Sequence, residues 1–246
     1  MNLIRKTMLM ASLVLTATVF AQQKGTFTDA RDKKTYKTVK IGEQTWMAEN
    51  LKFNAKNSKC GGTSNPTTEM DSHSGEEYTS YPLLDENTKH CDKYGRLYHW
   101  PTAMAFESDC YAECGSLISE KHRGVCPSGW HIPSGEEWDA LVAFAGGEKA
   151  GSNLKAKSGW NNKGNGTDKY GFGALPGGVG GTGSAGGSIN MDIIGFIGFG
   201  DNGGWWSSSG DINEFVPYSR CVYSKFGGVQ AGHSSVELRS VRCIKD

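Results

Sequence analysis

Glycine is the residue that most limits what this chain can fold into. It occupies 34 of the 246 positions, about twice its usual share of roughly 7%. Fourteen of the 34 residues from 171 to 204 are glycine. Because glycine in a helix interior costs backbone entropy, this composition argues against a helical bundle. Aromatic residues at 11% and charged residues at 21% also argue against a disordered chain. We therefore expect a folded protein rich in strands and turns.

The charge balance argues against nucleic acid as a partner. Lys and Arg together number 26, as do Asp and Glu, and no run of basic residues occurs. Binding to a phosphate backbone depends on a surplus of basic side chains gathered on one face. We therefore expect no nucleic-acid partner.

The N-terminus has the pattern of a secretory signal peptide. Arg5 and Lys6 precede an uncharged, mostly apolar stretch over residues 8–20, and Ala21 is a small residue at the expected cleavage point. No later stretch approaches the ~20 apolar residues of a transmembrane helix. We predict cleavage after Ala21 and a mature protein that is secreted or at the cell surface, without a transmembrane segment.

The mature chain, residues 22–246, has no linker or repeat that would divide it, so we expect a single domain. Residues 35–41 and 44–51 predict a β-hairpin, and residues 54–92 form a polar insertion with a cysteine near each end.

Two helices are predicted by their N-terminal signals. One begins at Pro101. The other begins after Ser134, which forms a capping-box pattern with Glu137. In the glycine-rich region we expect a buried strand over 193–199 and otherwise irregular loop. Three closing strands are predicted at 205–209, 218–225 and 236–244.

Two groups of residues have partial metal-ligand patterns. The first is a zinc-like set, and the second is a loop with oxygen ligands in which Lys163 occupies a position where a calcium loop would carry Asp or Asn. Their members are Cys110, Cys114, His122 and Cys126 in the first set, and Asn161, Asn165 and Asp168 in the second. Export favours disulfides over zinc thiolates, and polar turns explain the second set. We expect no metal and no cofactor.

Several sequence blocks together resemble the Fibrobacter succinogenes major paralogous domain family. They occur in the family's order and span nearly the whole mature chain. They are VKIGEQTWMAENL at 39–51, YGRLY at 94–98, CPSGWHIPS at 126–134, YGF at 170–172, ALPGG at 174–178, WWSS at 205–208 and VRC at 241–243.

The resemblance implies an exported or cell-surface protein with no established enzymatic activity, for which adhesion to plant polysaccharide has been suggested. A more distant similarity to the formylglycine-generating enzyme and the C-type-lectin-like fold implies an α+β domain. It would have a mostly antiparallel sheet, about two helices, long glycine-rich loops, and first and last strands that pair.

The catalytic and calcium-binding patterns of those relatives are missing from the chain. The sugar-binding segments of calcium-dependent lectins do not occur, the histidines are scattered, and Cys221 and Cys243 lie 22 residues apart. A nucleophilic pair of a cysteine with His99, His131 or His233 has no local motif, and His131 is expected to be a core or near-core side chain. We therefore predict a non-catalytic protein.

Aromatic side chains are the predicted means of recognition, since an exposed ring can stack on a sugar. The candidates are Trp160, Trp205, Trp206 and Tyr218, with polysaccharide or other cell-surface components as partners. The alternatives are a diverged enzyme of the formylglycine-generating type and a structural cell-surface protein without a soluble ligand.

Seven cysteines allow 105 ways of forming three disulfides. We favour Cys126 with Cys243, because this bond would join the strand before the main helix to the last strand. Cys60 with Cys91 and Cys110 with Cys114 follow from proximity. This arrangement leaves Cys221 as the free thiol.

Overall fold

The structure is a computed structural model of the chain. It describes residues 23–62, 64–70, 77–107, 114–185, 188–211, 216–233 and 237–246. The predicted signal peptide over residues 1–21 lies outside the described residues.

The described residues form a mixed α and β architecture with short helices and mostly antiparallel sheets. The strands are β1 (Lys24–Thr28), β2 (Thr35–Ile41), β3 (Gln44–Met47), β4 (Cys60–Gly61), β5 (Thr67–Met70), β6 (Glu77–Tyr81), β7 (Leu83–Leu84), β8 (Leu97–Tyr98), β9 (Trp130–His131), β10 (Val179–Ala185), β11 (Ser188–Ile197), β12 (Asn202–Asp211), β13 (Val216–Tyr223), β14 (Gln230–His233), β15 (Arg239–Ser240) and β16 (Ile244–Lys245). The helices are α1 (Lys89–Tyr94), α2 (Trp100–Ala103), α3 (Gly135–Phe144) and α4 (Ala150–Leu154).

The sheet that contains the predicted N-terminal hairpin also contains the last strand. Its order is β1-β2-β3-β16-β9, and Ile244 in β16 pairs with Trp46 in β3 and with His131 in β9. The hairpin of β2 and β3 is confirmed. The expected pairing of the first strand with the last is wrong, because β1 lies at the edge and pairs with β2. The two ends of the domain nevertheless meet in one sheet.

A second sheet of order β14-β13-β12-β15-β8 lies between two hydrophobic clusters. Successive side chains of a strand point to opposite faces. Trp206 in β12 accordingly joins the cluster around Tyr98 and Trp130, while Trp205 joins the cluster around Trp46 and Trp138. Both faces of β12 are therefore covered.

The glycine-rich region differs from the irregular loop predicted for it. It forms a hairpin of β10 and β11, and β6 and β5 extend this sheet. Gly180 bonds to the backbone of Leu238, and a Cβ at position 180 would lie 2.7 Å from the Cδ1 atom of Leu238. The glycines thus let strands approach closely, although they remove the alternating pattern by which a strand is predicted.

The polar segment 54–92 is closed by a disulfide between Cys60 and Cys91, as expected. It is more than a surface insertion, because β6 pairs with β11 of the glycine-rich hairpin. Arg96 is buried just beyond the segment and donates hydrogen bonds to the Ser58 and Asp85 carbonyl oxygens. These bonds hold the segment against the domain.

Both predicted helices are present. The helix at Pro101 is the single turn α2. At α3 the capping box is complete: the Ser134 hydroxyl accepts from the Glu137 amide at 3.2 Å, and the Glu137 carboxylate accepts from the Ser134 amide at 2.9 Å. Trp138 and Leu141 from this helix are buried in the core, which the apolar spacing predicted.

Candidate binding groove

The three tryptophans proposed as ligand platforms are buried. Trp160 is 5% exposed, Trp205 1% and Trp206 0%. Their indole nitrogens donate to the Ala174 carbonyl, the Asn50 side chain and the Tyr98 carbonyl respectively. None of the three rings can stack on an external ligand, so the prediction was wrong for them. The prediction assumed that one face of β12 is exposed to solvent. It also assumed that Trp160, which follows a glycine, has an exposed ring.

Tyr218, the fourth candidate, is partly exposed in β13. Its strand neighbour on β14 is His233. The structure does not bring Tyr218 together with the three tryptophans at one surface.

The cysteines agree with the favoured pairings where they are described. Cys126 bonds to Cys243 and Cys60 to Cys91, while Cys221 is a buried free thiol. The Cys221 sulfur accepts a hydrogen bond from Arg239 at 2.8 Å. The expected bond of Cys110 with Cys114 involves Cys110, which lies outside the described residues.

The structure also addresses the two metal-like patterns. Cys126 cannot serve as a zinc thiolate, since its sulfur is in a disulfide. In the oxygen-rich loop, the Asn165 side chain accepts from the Trp160 amide and Asp168 from the Gly173 amide. These side chains shape the loop. Among the described residues, no three His, Cys, Asp or Glu side chains gather as metal ligands would.

His131 is buried, as predicted, and lies between two carboxylates. Its Nδ1 is 2.7 Å from an Asp246 oxygen and its Nε2 is 2.9 Å from a Glu137 oxygen. Burial opposes protonation of the ring, but the two carboxylates outweigh it and raise the pKa of His131. Because Glu137 also caps α3, the imidazole ties this helix to the end of β16.

A groove beside α2, with a volume of about 610 Å³, has the size and lining of a ligand site. We call it the α2 groove. Four segments line it: Arg31 in the turn after β1, residues 53–57 after β3, the α2 turn with residues 101–102 and 105–107, and residues 123–125. Its volume falls within the ~300 to 1,000 Å³ of typical ligand pockets.

Two phenylalanines give the groove an aromatic surface. Phe53 and Phe106 are partly buried and pack against the core from outside. The guanidinium of Arg31 lies over the Phe53 ring, with its central carbon 3.8 Å from the ring centroid. Both Arg31 and Phe106 thus present flat surfaces that line the groove.

Arg31 is fixed by a buried carboxylate. Its Nε and Nη2 atoms donate to the two oxygens of Asp29, which is 1% exposed. Burial of Asp29 opposes its ionisation, but the hydrogen bonds from Arg31 outweigh it and lower the pKa of Asp29, with a further contribution from the charge of Arg123. The guanidinium is therefore held in one position before any ligand binds.

Hydrogen bonds to backbone carbonyl oxygens hold the groove walls in place. The Tyr98 hydroxyl donates to the Phe53 carbonyl at 2.7 Å, and the Val125 amide donates to the Ala103 carbonyl at 2.8 Å. Asn57 and Ala105 line the groove with positive φ angles of 66° and 58°. Such angles cost energy for residues with a side chain, so the surrounding contacts hold these conformations in place.

Gly124 provides a test of this wall. Its φ is +51°, and a Cβ would overlap the Ala103 carbonyl oxygen and the Ile132 side chain. We expect Gly124→Ala to destabilise the domain by about 2 kcal/mol more than Gly129→Ala, because overpacking adds to backbone strain. Gly129 has a φ of +79°, and no described atom lies within 4 Å of the point that an alanine methyl group would occupy. Gly129→Ala therefore measures the cost of backbone strain without overpacking. Urea unfolding measures the free energy of unfolding of both variants. Equal losses would contradict the prediction and show that the groove wall shifts to accommodate the added methyl group.

A second cavity of about 460 Å³ lies near the β1–β2 edge and has a different character. Lys24, Lys37 and Lys93 line it together with Glu49 and Asp168. Its described lining contains no aromatic residue, and Glu49 is already bound to the Lys37 amide. The α2 groove is thus the better candidate for a ligand that stacks on a ring.

No sequence pattern predicted the residues of the α2 groove. Phe53 and Phe106 stand directly before polar stretches, and Arg31 lies in a short charged turn. None of these positions belongs to a periodic pattern. The available signal for an exposed ring was a phenylalanine that is followed by polar residues. This signal does not show which elements meet to form a groove.

The fold and the groove define a disulfide-bonded α and β domain whose candidate site is a binding groove. The chain belongs to the Fibrobacter succinogenes major domain family, whose model matches residues 39–245. The resemblance read from the sequence blocks is thereby confirmed. Comparison with curated proteins and with solved structures gives no match. No helix among the described residues is long and apolar enough to cross a membrane.

Proposed function

We propose that the protein is exported and acts as a non-catalytic recognition or adhesion domain that binds polysaccharide in the α2 groove. The observation that carries the proposal is the juxtaposition of Phe106 with the stacked pair of Arg31 and Phe53 in a preformed groove. Flat apolar surfaces bordered by polar groups suit a sugar ring, which has an apolar face and hydroxyls at its edge.

Polar groups beside the rings support the same ligand class. Asn54, Asn57 and Thr102 line the groove and carry amide and hydroxyl groups that can exchange hydrogen bonds with sugar hydroxyls. Because the walls are fixed by hydrogen bonds, little conformational entropy would be lost on binding.

The disulfides support export. Two cystines join residues that the structure describes, one of them across 117 residues, and such bonds persist in oxidising compartments. We further propose that residues 1–21 are removed as a signal peptide and that the fold is C-type-lectin-like, with both chain ends in one sheet. Mass spectrometry of the secreted protein tests the cleavage, and an experimental structure tests the fold.

Retention on insoluble polysaccharides tests the proposed function. We expect Phe106→Ala to weaken retention about fivefold or more, because it removes about 1 kcal/mol of aromatic contact. Phe53→Ala should have a similar effect, because Arg31 loses the ring on which its guanidinium is stacked. Phe144→Ala is the matched control, since Phe144 is 52% exposed and lies outside the groove. Circular dichroism and thermal unfolding show whether each variant is folded.

Two outcomes would overturn this proposal. One is that the wild-type protein is retained on no polysaccharide, which would favour a structural role at the cell surface. The other is that Phe144→Ala weakens retention as strongly as the groove variants do. Stoichiometric copper or iron in the purified protein would instead favour the diverged enzyme.

A further inference from the structure

We propose that the polysaccharide bound in the α2 groove is acidic, a chain of sugars that carry carboxylates. This inference rests on the function proposed above and specifies its ligand. The supporting observation is the charge of the groove: Arg31, Lys56 and Arg123 line it against one carboxylate, Glu107.

The cations differ in whether they are already neutralised. Arg31 is bound to the buried Asp29. Across the described residues, Lys56 and Arg123 form no ion pair within 4.0 Å. Two exposed cations that lack a close carboxylate therefore border a groove of about 610 Å³, and both are available to pair with an anionic ligand.

Arg123 has the geometry for a carboxylate. Its Nε donates to the Cys126 carbonyl at 3.2 Å, which fixes the plane of the guanidinium. The two Nη atoms have no hydrogen-bond acceptor among the described residues. A guanidinium with an open edge binds a carboxylate through two parallel hydrogen bonds. Its charge contributes to the lowered pKa of Asp29, the carboxylate that pairs with Arg31.

Aromatic rings and cations line the same groove. The Arg31 guanidinium covers Phe53, and Phe106 lines the same groove. A sugar acid carries its carboxylate at the edge of a ring whose face is apolar. It could therefore stack on a flat surface while its carboxylate meets Arg123 or Lys56. A neutral sugar would gain no attraction between opposite charges from either cation.

Two polymers of the same sugar test the inference. We would compare retention of the full-length secreted protein on polygalacturonate and on fully methyl-esterified galacturonan, whose carboxylates are neutral. We expect at least about tenfold stronger binding to the acidic polymer, as one charge-assisted hydrogen bond provides. The preference should shrink as salt rises.

Variants of the groove cations test whether the preference for the acidic polymer arises in the α2 groove. The double variant Lys56→Gln/Arg123→Gln should remove most of the preference, and Arg123→Lys should retain part of it. Lys157→Gln, which removes an exposed charge outside the groove, should change nothing. Arg31 is left intact, because its loss would leave Asp29 buried without its partner.

The outcomes separate this inference from the proposed function. Equal retention on both galacturonans, or retention on cellulose or xylan alone, overturns the acidic ligand and leaves polysaccharide binding standing. A preference for the acidic polymer that survives in the double variant overturns the assignment to the groove. No retention on any polysaccharide overturns both proposals.

Discussion

Replacing Arg242 with methionine is expected to destabilise the domain by about 3 to 5 kcal/mol, because buried carbonyl oxygens lose a charged donor and each unsatisfied group costs about 1 to 3 kcal/mol. Arg242 is 0% exposed. It donates to the Asn50 side chain from Nε at 3.1 Å and from Nη2 at 2.7 Å, and also to the Phe172 and Gly173 carbonyls. Methionine roughly keeps the length of the side chain but removes the donor to the Phe172 and Gly173 carbonyls, while Asn50 keeps only its bond from the Trp205 indole.

The environment of Arg242 explains why the effect should be large. Its guanidinium lies over the Phe172 ring with 4.2 Å between the central carbon and the ring centroid. No carboxylate lies within 4.0 Å of it among the described ion pairs, and burial lowers the pKa of Arg242 to about 9. The charge is therefore held by dipoles and ring faces, which methionine cannot replace.

Urea unfolding at neutral pH measures this prediction. Lys40→Met is the control, because Lys40 pairs with the exposed Glu43 at 3.2 Å, and the loss of this surface pair should cost less than about 0.5 kcal/mol. If Arg242→Met were within about 1 kcal/mol of the wild-type protein, apolar packing would compensate for the network, as it does for some buried ion pairs.

The second large effect is loss of stability in acid through His90. This side chain is 7% exposed, and neither ring nitrogen has a hydrogen-bond partner in the part of the chain that the structure describes. It stacks on Tyr94 and contacts Phe196 and Phe199 edge-on or tilted. Burial lowers the pKa of His90 to about 4, and the charge of Lys93 adds to the effect.

The sign follows from proton binding. An unfolded chain binds a proton at His90 near pH 6.5, whereas the folded protein binds it only near pH 4. Stability from His90 is therefore complete above pH 6.5 and decreases as the pH falls toward 4, by about 3 kcal/mol. His90→Phe keeps the ring contacts and removes the proton site.

Urea unfolding at pH 7 and pH 4 checks this prediction as a difference. The wild-type protein should lose about 3 kcal/mol more than His90→Phe between these values, whatever the packing cost of the substitution. His131→Gln serves as the control of opposite sign. The raised pKa of His131 gives a contribution that is complete below pH 6.5 and is lost as the pH rises through its folded pKa. Equal pH dependence for wild type and His90→Phe would contradict the prediction.

Sequence patterns predicted the helix start and the hairpin that neighbouring residues determine. The capping box of Ser134 and Glu137 and the hairpin of β2 and β3 follow from spacing and residue type. The Cys60–Cys91 bond was expected from proximity, and the Cys126–Cys243 bond from the expected positions of two strands. The family blocks added the order of these elements. Each of these features depends on short sequence segments or on a pairing that the blocks suggest.

Features set by long-range packing could not be predicted. Whether Trp205 is exposed depends on which layers cover β12, and the same strand could face solvent in another architecture. The β10–β11 hairpin was missed because glycines such as Gly180 act by letting a distant residue, Leu238, approach. The α2 groove joins four segments that are far apart in sequence, and no local pattern of Phe53 or Phe106 indicates that they meet.

The position of β16 affects how the chain reaches its folded state. Its residue Ile244 lies between β3 and β9, so this sheet stays incomplete until residue 244 has been synthesised. Pairing across about 200 residues is slow, because a large loop must close first. Cys243 directly precedes β16, so the docking of this strand and the closing of the Cys126–Cys243 bond, which spans 117 residues, depend on the same late contact.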